Sequence, residues 1–239
     1  MDLKRTLQAA FDADASDIHL VAGHRPMMRV HRVMTAMEFD VITPEDARKV
    51  LQQMVASELV NAHMQRGVIG FAMRAIKTEV PPLASLGLPD VIGRLTYLPR
   101  GLVLVTGDTG SGKTTTLAAM IQTMNQRYRK HIITLEDPVE YAFESDKSVV
   151  EQRELGADMP TFASGLKHAL RQDPDIVLVG EMRDLDTTAL AITAAETGHL
   201  VLSTLHTVNA SQTVERIIDM YPANQQNQIR AMLANTLQA

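Results

Sequence analysis

The stretch GLVLVTGDTGSGKTTTLAAM, residues 101–120, decides the fold of the larger part of this chain. Within it, Gly107-Asp108-Thr109-Gly110-Ser111-Gly112-Lys113-Thr114 fits the pattern G-x-x-x-x-G-K-[ST], with an apolar run before it and a helix-forming run after it. That strand-loop-helix context separates a phosphate-binding loop from a chance glycine-rich turn. The glycines allow a tight loop whose amides converge on phosphate oxygens, and the following helix N-terminus adds positive potential. Lys113 is expected to reach the β- and γ-phosphates and the Thr114 hydroxyl to bind Mg²⁺. Gly107, Thr109, Gly110, Ser111, Gly112 and Thr115 complete the expected site for a nucleoside triphosphate.

Outward from this loop, apolar runs alternate with helical patterns. GLVLVTG, HIITLED, DIVLVGE and HLVLSTLH are the runs, and KTTTLAAMIQTMNQRY, TFASGLKHALRQ and DLDTTALAITAAET lie between them. Continuous apolar runs suit strands buried on both faces of a parallel sheet. Repeated β–α units then predict an open α/β sheet with helices on both faces and ligands at the carboxyl ends of the strands. DMYPANQQNQIRAM reads as a helix-turn-helix surface.

Phosphoryl chemistry at such a loop needs acids, one on the Mg²⁺ side and one to activate water. HIITLEDPVEY delivers Glu136, Asp137 and Glu140 just beyond a strand, with Pro138 ending the pairing. DIVLVGEMRD ends its strand with Glu181. Thr204 and Thr207 stand at another strand end, either assisting there or capping the next helix. Arg183 and Arg216 read as solvated arginines or as subunit contacts.

Residues 1–76 read as a small mixed domain. LKRTLQAAF has helical spacing, and SDIHLV, PMMRV and GVIGFAMRAI read as strands. Thr43 opens the helical pattern TPEDARKVLQQMVASELV, with Pro44 at its first position and Asp46 three residues on. KTEVPPLASLGLPD carries three prolines and is the linker candidate, so 77–100 is expected to connect to the phosphate-loop domain over 101–239.

Composition narrows the classes. At 239 residues, 45% hydrophobic and 21% charged, the chain reads as globular and soluble, with room for a sizeable core. Fourteen Met against 4% aromatics and no Trp point to aliphatic packing. A net charge of −5 argues against broad nucleic-acid binding. The absence of Cys excludes disulfides, thiolate zinc sites and thiol catalysis within the chain. No run reaches the roughly 18 apolar residues of a membrane helix, and MDLKRTLQAAFDADAS lacks a signal-peptide core, so the expected location is cytoplasmic.

Together these motifs resemble the secretion and type IV pilus ATPases, in particular the PilT-type pilus retraction motors. GLVLVTGDTGSGKTTTLAAM is similar to their Walker A segment, ITLEDPVEY to their Asp box, DPDIVLVGEMRD to their Walker B and AETGHLVLSTLHT to their His box. ASDIHLVAG followed by PMMRV is similar to their N-terminal domain. The resemblance implies a homohexameric motor that hydrolyses ATP with Mg²⁺ to retract pili in twitching motility. It also implies a RecA-like P-loop core joined to a PAS-like N-terminal domain. The implied partners are an inner-membrane platform protein and the pilus machinery, with peripheral membrane association through them and no nucleic acid. Glu140 would polarise the attacking water, and Glu181 would act on the Mg²⁺ side through water. Arg66 and Arg74 are the candidates for arginines that neutralise the triphosphate, against the reading of two solvated arginines.

Three departures from the family accompany the resemblance. Strands expected between a helix ending near Met64 and the segment at Gln65 are missing, one of them arginine-bearing. MRVHRVMTAM shows no turn between its two strands. The chain stops at ANTLQA, where a helical C-terminal portion is expected, so the ATPase domain reads as truncated and the first domain as missing segments. Pilus assembly or type II secretion is the alternative within the family, though zero Cys and the early ASDIHL favour retraction. A RecA-like nucleic-acid motor and a purely regulatory nucleotide-binding module are the alternatives outside it.

HLVLSTLH holds His199 and His206. At about 3.3 Å per residue a strand puts them roughly 20 Å apart, beyond the reach of one metal ion. His206 falls at the carboxyl end and is expected to hydrogen-bond the γ-phosphate side of ATP. His199, at the far end, is expected either to relay state to a neighbour or to hold a turn.

Overall fold

A computed structural model describes residues 1–53, 60–74 and 79–239 of the chain. Its contacts divide into two compact units, Met1–Ile76 and Lys77–Ala239.

The first unit opens with α1 (Leu3–Asp12), whose first turn is capped by Asp2 accepting the Arg5 N–H at 3.1 Å. Strands β1 (Asp17–Val21), β2 (Met27–Val30) and β3 (Val33–Ala36) follow, then α2 (Pro44–Gln53), β4 (Val60–Gln65) and β5 (Val68–Arg74). They form one antiparallel sheet in the order β3-β2-β1-β5-β4. Alternation sets its buried face: Ile18 and Leu20 of β1 sit opposite Met73 and Phe71 of β5, and all four are buried with Ala10 of α1 and Ala47 and Val50 of α2. Thr43 and Asp46 cap α2 reciprocally, the Thr43 N–H donating to Asp46 Oδ2 at 3.0 Å and the Asp46 N–H to Thr43 Oγ1 at 3.1 Å.

Two expectations fail in this unit. The turn thought missing from MRVHRVMTAM exists, because His31 and Arg32 both take left-handed backbone (φ 46° and 69°) and close β2 onto β3. Such a two-residue turn matches the twist of the strands, and the sequence hides it by using neither Gly nor Asn there. Met64 does not follow a helix. It lies in β4 opposite Ile69, and Val60, the end of the expected helical pattern, pairs with Met73. Residues 54–59 of that pattern, and 75–76 of the expected strand GVIGFAMRAI, lie outside the described residues. Arg66 occupies the β4–β5 turn with Gly67, again left-handed (φ 49° and 79°), and is exposed. Arg74 ends β5, its backbone opposite Asp17.

In the second unit the described part of the expected linker, residues 79–100, carries packed structure. A 3₁₀ turn at Leu83–Leu86 and α3 (Asp90–Leu95) lay Leu83, Ile92 and Leu95 against the core. Next come β6 (Gly101–Thr106), α4 (Lys113–Arg127), β7 (His131–Glu136), β8 (Val149–Glu154), α5 (Phe162–Ala169), β9 (Ile176–Val179), α6 (Leu185–Glu196), β10 (Leu200–Leu205), α7 (Ala210–Asp219) and α8 (Gln226–Thr236). The sheet is parallel throughout, in the order β6-β10-β9-β7-β8.

Both faces are covered, which is why the strands read as unbroken apolar runs. Val103, Ile132, Ile176, Leu178, Leu200 and Leu202 face Leu117, Met120, Ile121 and Met124 of α4. The intervening Leu102, Ile133, Leu135, Val177, Val179 and Val201 face Leu166 of α5, Ile192 of α6, Ile217 of α7 and Leu233 of α8. Truncating a fully buried residue such as Ile121 or Ile133 to Ala costs about 2–5 kcal/mol. Parallel direction then delivers every strand's carboxyl end to one edge. β8 was not expected from the sequence, since VVEQRE has no apolar run.

Candidate active site

Four of the five strand ends at that edge lead into the predicted site residues. β6 runs into the glycine loop, in which Gly107, Gly110 and Gly112 have φ of 147°, 72° and 95°. Left-handed glycines on either side of Ser111 turn successive N–H groups to one side, the arrangement that makes an anion cradle. Gly112 caps α4, and the next three residues, Lys113, Thr114 and Thr115, form its first turn. Lys113 Nζ donates to the carbonyls of Gly107 and Asp108 at 2.8 and 3.0 Å, so its ammonium lies across the loop. Thr109 is an exposed loop residue.

β7 ends at Glu136, only 7% exposed, whose Oε1 accepts Thr134 Oγ1 at 2.7 Å and Gln152 Nε2 at 3.0 Å. Burial pushes this carboxyl above the ordinary range; the two side-chain hydrogen bonds and the Glu140 N–H oppose the shift, and the nearby Glu140 charge adds to it. Glu140 follows, half-buried, on the segment between β7 and β8. The neighbouring Tyr141 hydroxyl lies 3.2 Å from Thr115 Oγ1, joining this segment to the first turn of α4. Thr115, in the first turn of α4, therefore joins its hydroxyl to the acidic segment.

β9 ends just before Glu181, whose side chain is 14% exposed. Its Oε2 accepts Arg183 Nε at 2.7 Å and lies 3.4 Å from His206 Nε2. Arg183 also reaches Asp137 at 3.5 Å, tying the end of β9 to the end of β7. The pair with Glu181 raises the Arg183 pKa further. Arg183 is exposed, as the solvated reading has it, and its guanidinium pairs with both carboxylates. No sequence signal assigns Arg183 this task, because only the parallel register brings Asp137 within its reach.

His206 sits beyond the carboxyl end of β10, side chain 41% exposed, where its carbonyl accepts Arg216 at 3.1 Å. His199 precedes β10 at the opposite end. Its Nδ1 lies 3.0 Å from the Ala194 carbonyl at the end of α6. Thr204 donates to the Gly180 carbonyl at 2.6 Å, and the Thr207 hydroxyl lies 2.6 Å from that of Thr213 in α7. Both hydroxyls hold strand and helix ends together.

The donors suit a hard divalent cation: the Thr114 hydroxyl, with the Glu181 carboxylate able to act through water. Among the described residues no three His, Asp or Glu side chains gather as a metal cage, so such an ion would draw its remaining oxygens from nucleotide and water.

A parallel sheet whose glycine loop is shaped as an anion cradle, with carboxylates and a histidine on adjacent strand ends, defines a P-loop nucleoside-triphosphate-binding protein. The chain belongs to the type II/IV secretion system protein family, whose model matches residues 87–239. It is 42% identical to the type IV pilus retraction ATPase PilT of Pseudomonas aeruginosa, over all of this chain and 76% of that protein. The alignment runs over 263 positions, so that relative carries residues this chain lacks. Type II secretion system protein E of Xanthomonas campestris is 52% identical over 90% of this chain and 43% of its own length. The crystal structure of the pilus retraction motor PilT with bound ADP superposes with a TM-score of 0.91, at 42% identity over all of this chain and 76% of that one.

Proposed function

We propose that the chain is an ATP-hydrolysing motor with a RecA-like core and a PAS-like first domain, working as a homohexamer to retract type IV pili. The observation that carries the reading is the contact between Thr115 and Tyr141, which joins the phosphate loop's helix to the segment bearing Glu140. The likeness to PilT supports retraction as the output. Its place would be the cytoplasmic face of the inner membrane, reached through a platform protein; among the described residues no helix is long and apolar enough to cross a membrane.

In this reading the loop amides and Lys113 grip the β- and γ-phosphates, Lys113 exchanging the carbonyls of Gly107 and Asp108 for phosphate oxygens. Thr114, and Glu181 through water, would hold Mg²⁺, which would neutralise charge on the phosphates. Glu140 takes the proton of the attacking water, and His206, beside Glu181, hydrogen-bonds the γ-phosphate. Arg66 and Arg74 of the first unit are the proposed guanidinium contacts to the triphosphate, and His199 the residue through which the start of β10 reports to a neighbour.

A second reading, a secretion or assembly ATPase, is favoured by the higher identity to type II secretion system protein E. Deleting the gene separates them. Cells that keep surface pili but lose twitching motility support retraction; cells without pili, or with intact twitching and lost protein secretion, overturn it.

A further inference from the structure

The segment that carries Glu140 is tied down by side chains of the edge strand β8, none of which belongs to a nucleotide-binding motif. β8 pairs in register with β7, Gln152 opposite Thr134 and Glu154 opposite Glu136. These four continue the face that begins with Ile132 and Val150 against α4, so that face turns from apolar to polar as it reaches the carboxyl edge. Gln152 uses its whole amide there. Its Nε2 donates to Glu136 Oε1 at 3.0 Å and to the Tyr141 carbonyl at 2.8 Å, and its Oε1 accepts the Phe143 N–H at 2.8 Å. Glu154 accepts the Val139 N–H at 2.9 Å. Glu140 is therefore bracketed on both sides.

We propose that Gln152 is a positioning residue for ATP hydrolysis: its amide holds the backbone on the far side of Glu140 and the buried Glu136 at once, and so sets where the base stands. This rests on the reading of Glu140 as the group that takes the proton of water. The chemistry of the position admits few side chains. Two acceptors and one donor converge on it, which a primary amide satisfies and a carboxylate, an ammonium or a thioether does not. Gln152→Glu keeps the volume, removes both donors and sets a carboxylate against the Glu136 carboxylate and the Tyr141 carbonyl. Gln152→Ala removes the bracket without adding charge. A base displaced by about 1 Å loses rate by up to roughly 100-fold while substrate binding elsewhere is kept.

The test is ATP hydrolysis by the full chain in the forms wild type, Gln152→Glu, Gln152→Ala, Glu140→Gln and the double variant Gln152→Ala/Glu140→Gln, with ADP affinity measured for each. The expected result is a roughly 10- to 100-fold lower kcat for both Gln152 variants. ADP affinity should stay within about twofold, and the double variant should be no slower than Glu140→Gln alone. Wild-type kcat in both Gln152 variants beside a slow Glu140→Gln overturns the inference and leaves the base in place. A double variant slowed by the further factor seen for Gln152→Ala alone also overturns it, because Gln152 then acts on something other than Glu140. Wild-type kcat in Glu140→Gln removes the base itself, and the inference with it. Retained ADP binding distinguishes each of these from a chain that has not folded.

Discussion

Placing a methyl group on Gly107 tests how tightly the phosphate loop is built. Gly107 has φ of 147°, and a Cβ there would lie 2.8 Å from Ser111 Oγ and 3.4 Å from Ser111 Cβ. The positive φ costs an L-residue about 1–2 kcal/mol. The overlap adds about 1–3 kcal/mol if Ser111 stays, and less if its exposed hydroxyl swings away. If Ser111 keeps its position, a combined cost of at least about 2 kcal/mol can be avoided only by moving the loop. Moving it turns the Gly107 carbonyl off Lys113 and spreads the amides that would meet phosphate. Gly107→Ala should therefore weaken ADP binding, measured by titration calorimetry, by about 30-fold. Adding Ser111→Gly removes the overlap but not the backbone cost, so the double variant should recover several-fold and stop short of wild type. Affinity within about twofold of wild type for Gly107→Ala would refute the reasoning, since the loop would then tolerate the side chain without cost.

Other substitutions probe the remaining parts of the site. Burial raises the Glu136 pKa above that of an ordinary glutamate, so the native state holds this proton more tightly than the unfolded chain does. Its stabilising contribution is then full below the unfolded pKa and is lost as pH rises through the native one. Glu136→Gln, which has no such titration, should gain thermal stability relative to wild type between about pH 4 and pH 8, and parallel melting curves across that range would contradict the shift. Thr204→Val removes the 2.6 Å bond to the Gly180 carbonyl in a buried position. It should cost about 1–2 kcal/mol, a fall of roughly 2–8 °C in melting temperature. His206→Ala should slow ATP turnover with little change in ADP affinity, and an unchanged rate would count against a γ-phosphate contact.

Much of the second unit could be read from sequence because its constraints are local. The glycine loop and the apolar runs of β6, β7, β9 and β10 all sit beside what they determine. The carboxyl-edge placement of Glu140, Glu181 and His206 follows from parallel direction alone. What was illegible is non-local. β8 is an edge strand of exposed and partly buried residues with no apolar run, so Gln152 and Glu154 had no visible task. Arg183 acquires its role from Asp137, 46 residues away in sequence. In the first unit the hairpin turns at His31-Arg32 and Arg66-Gly67 put non-glycine residues in left-handed backbone, a choice that residue preferences do not anticipate.

ATP turnover by the purified chain, with Lys113 and Glu140 replaced one at a time, bears most directly on the proposal that this edge of the sheet hydrolyses ATP. Lys113→Ala should abolish hydrolysis, and Glu140→Gln should lower kcat by about 100-fold or more while ADP still binds. Turnover at the wild-type rate in either variant would contradict it.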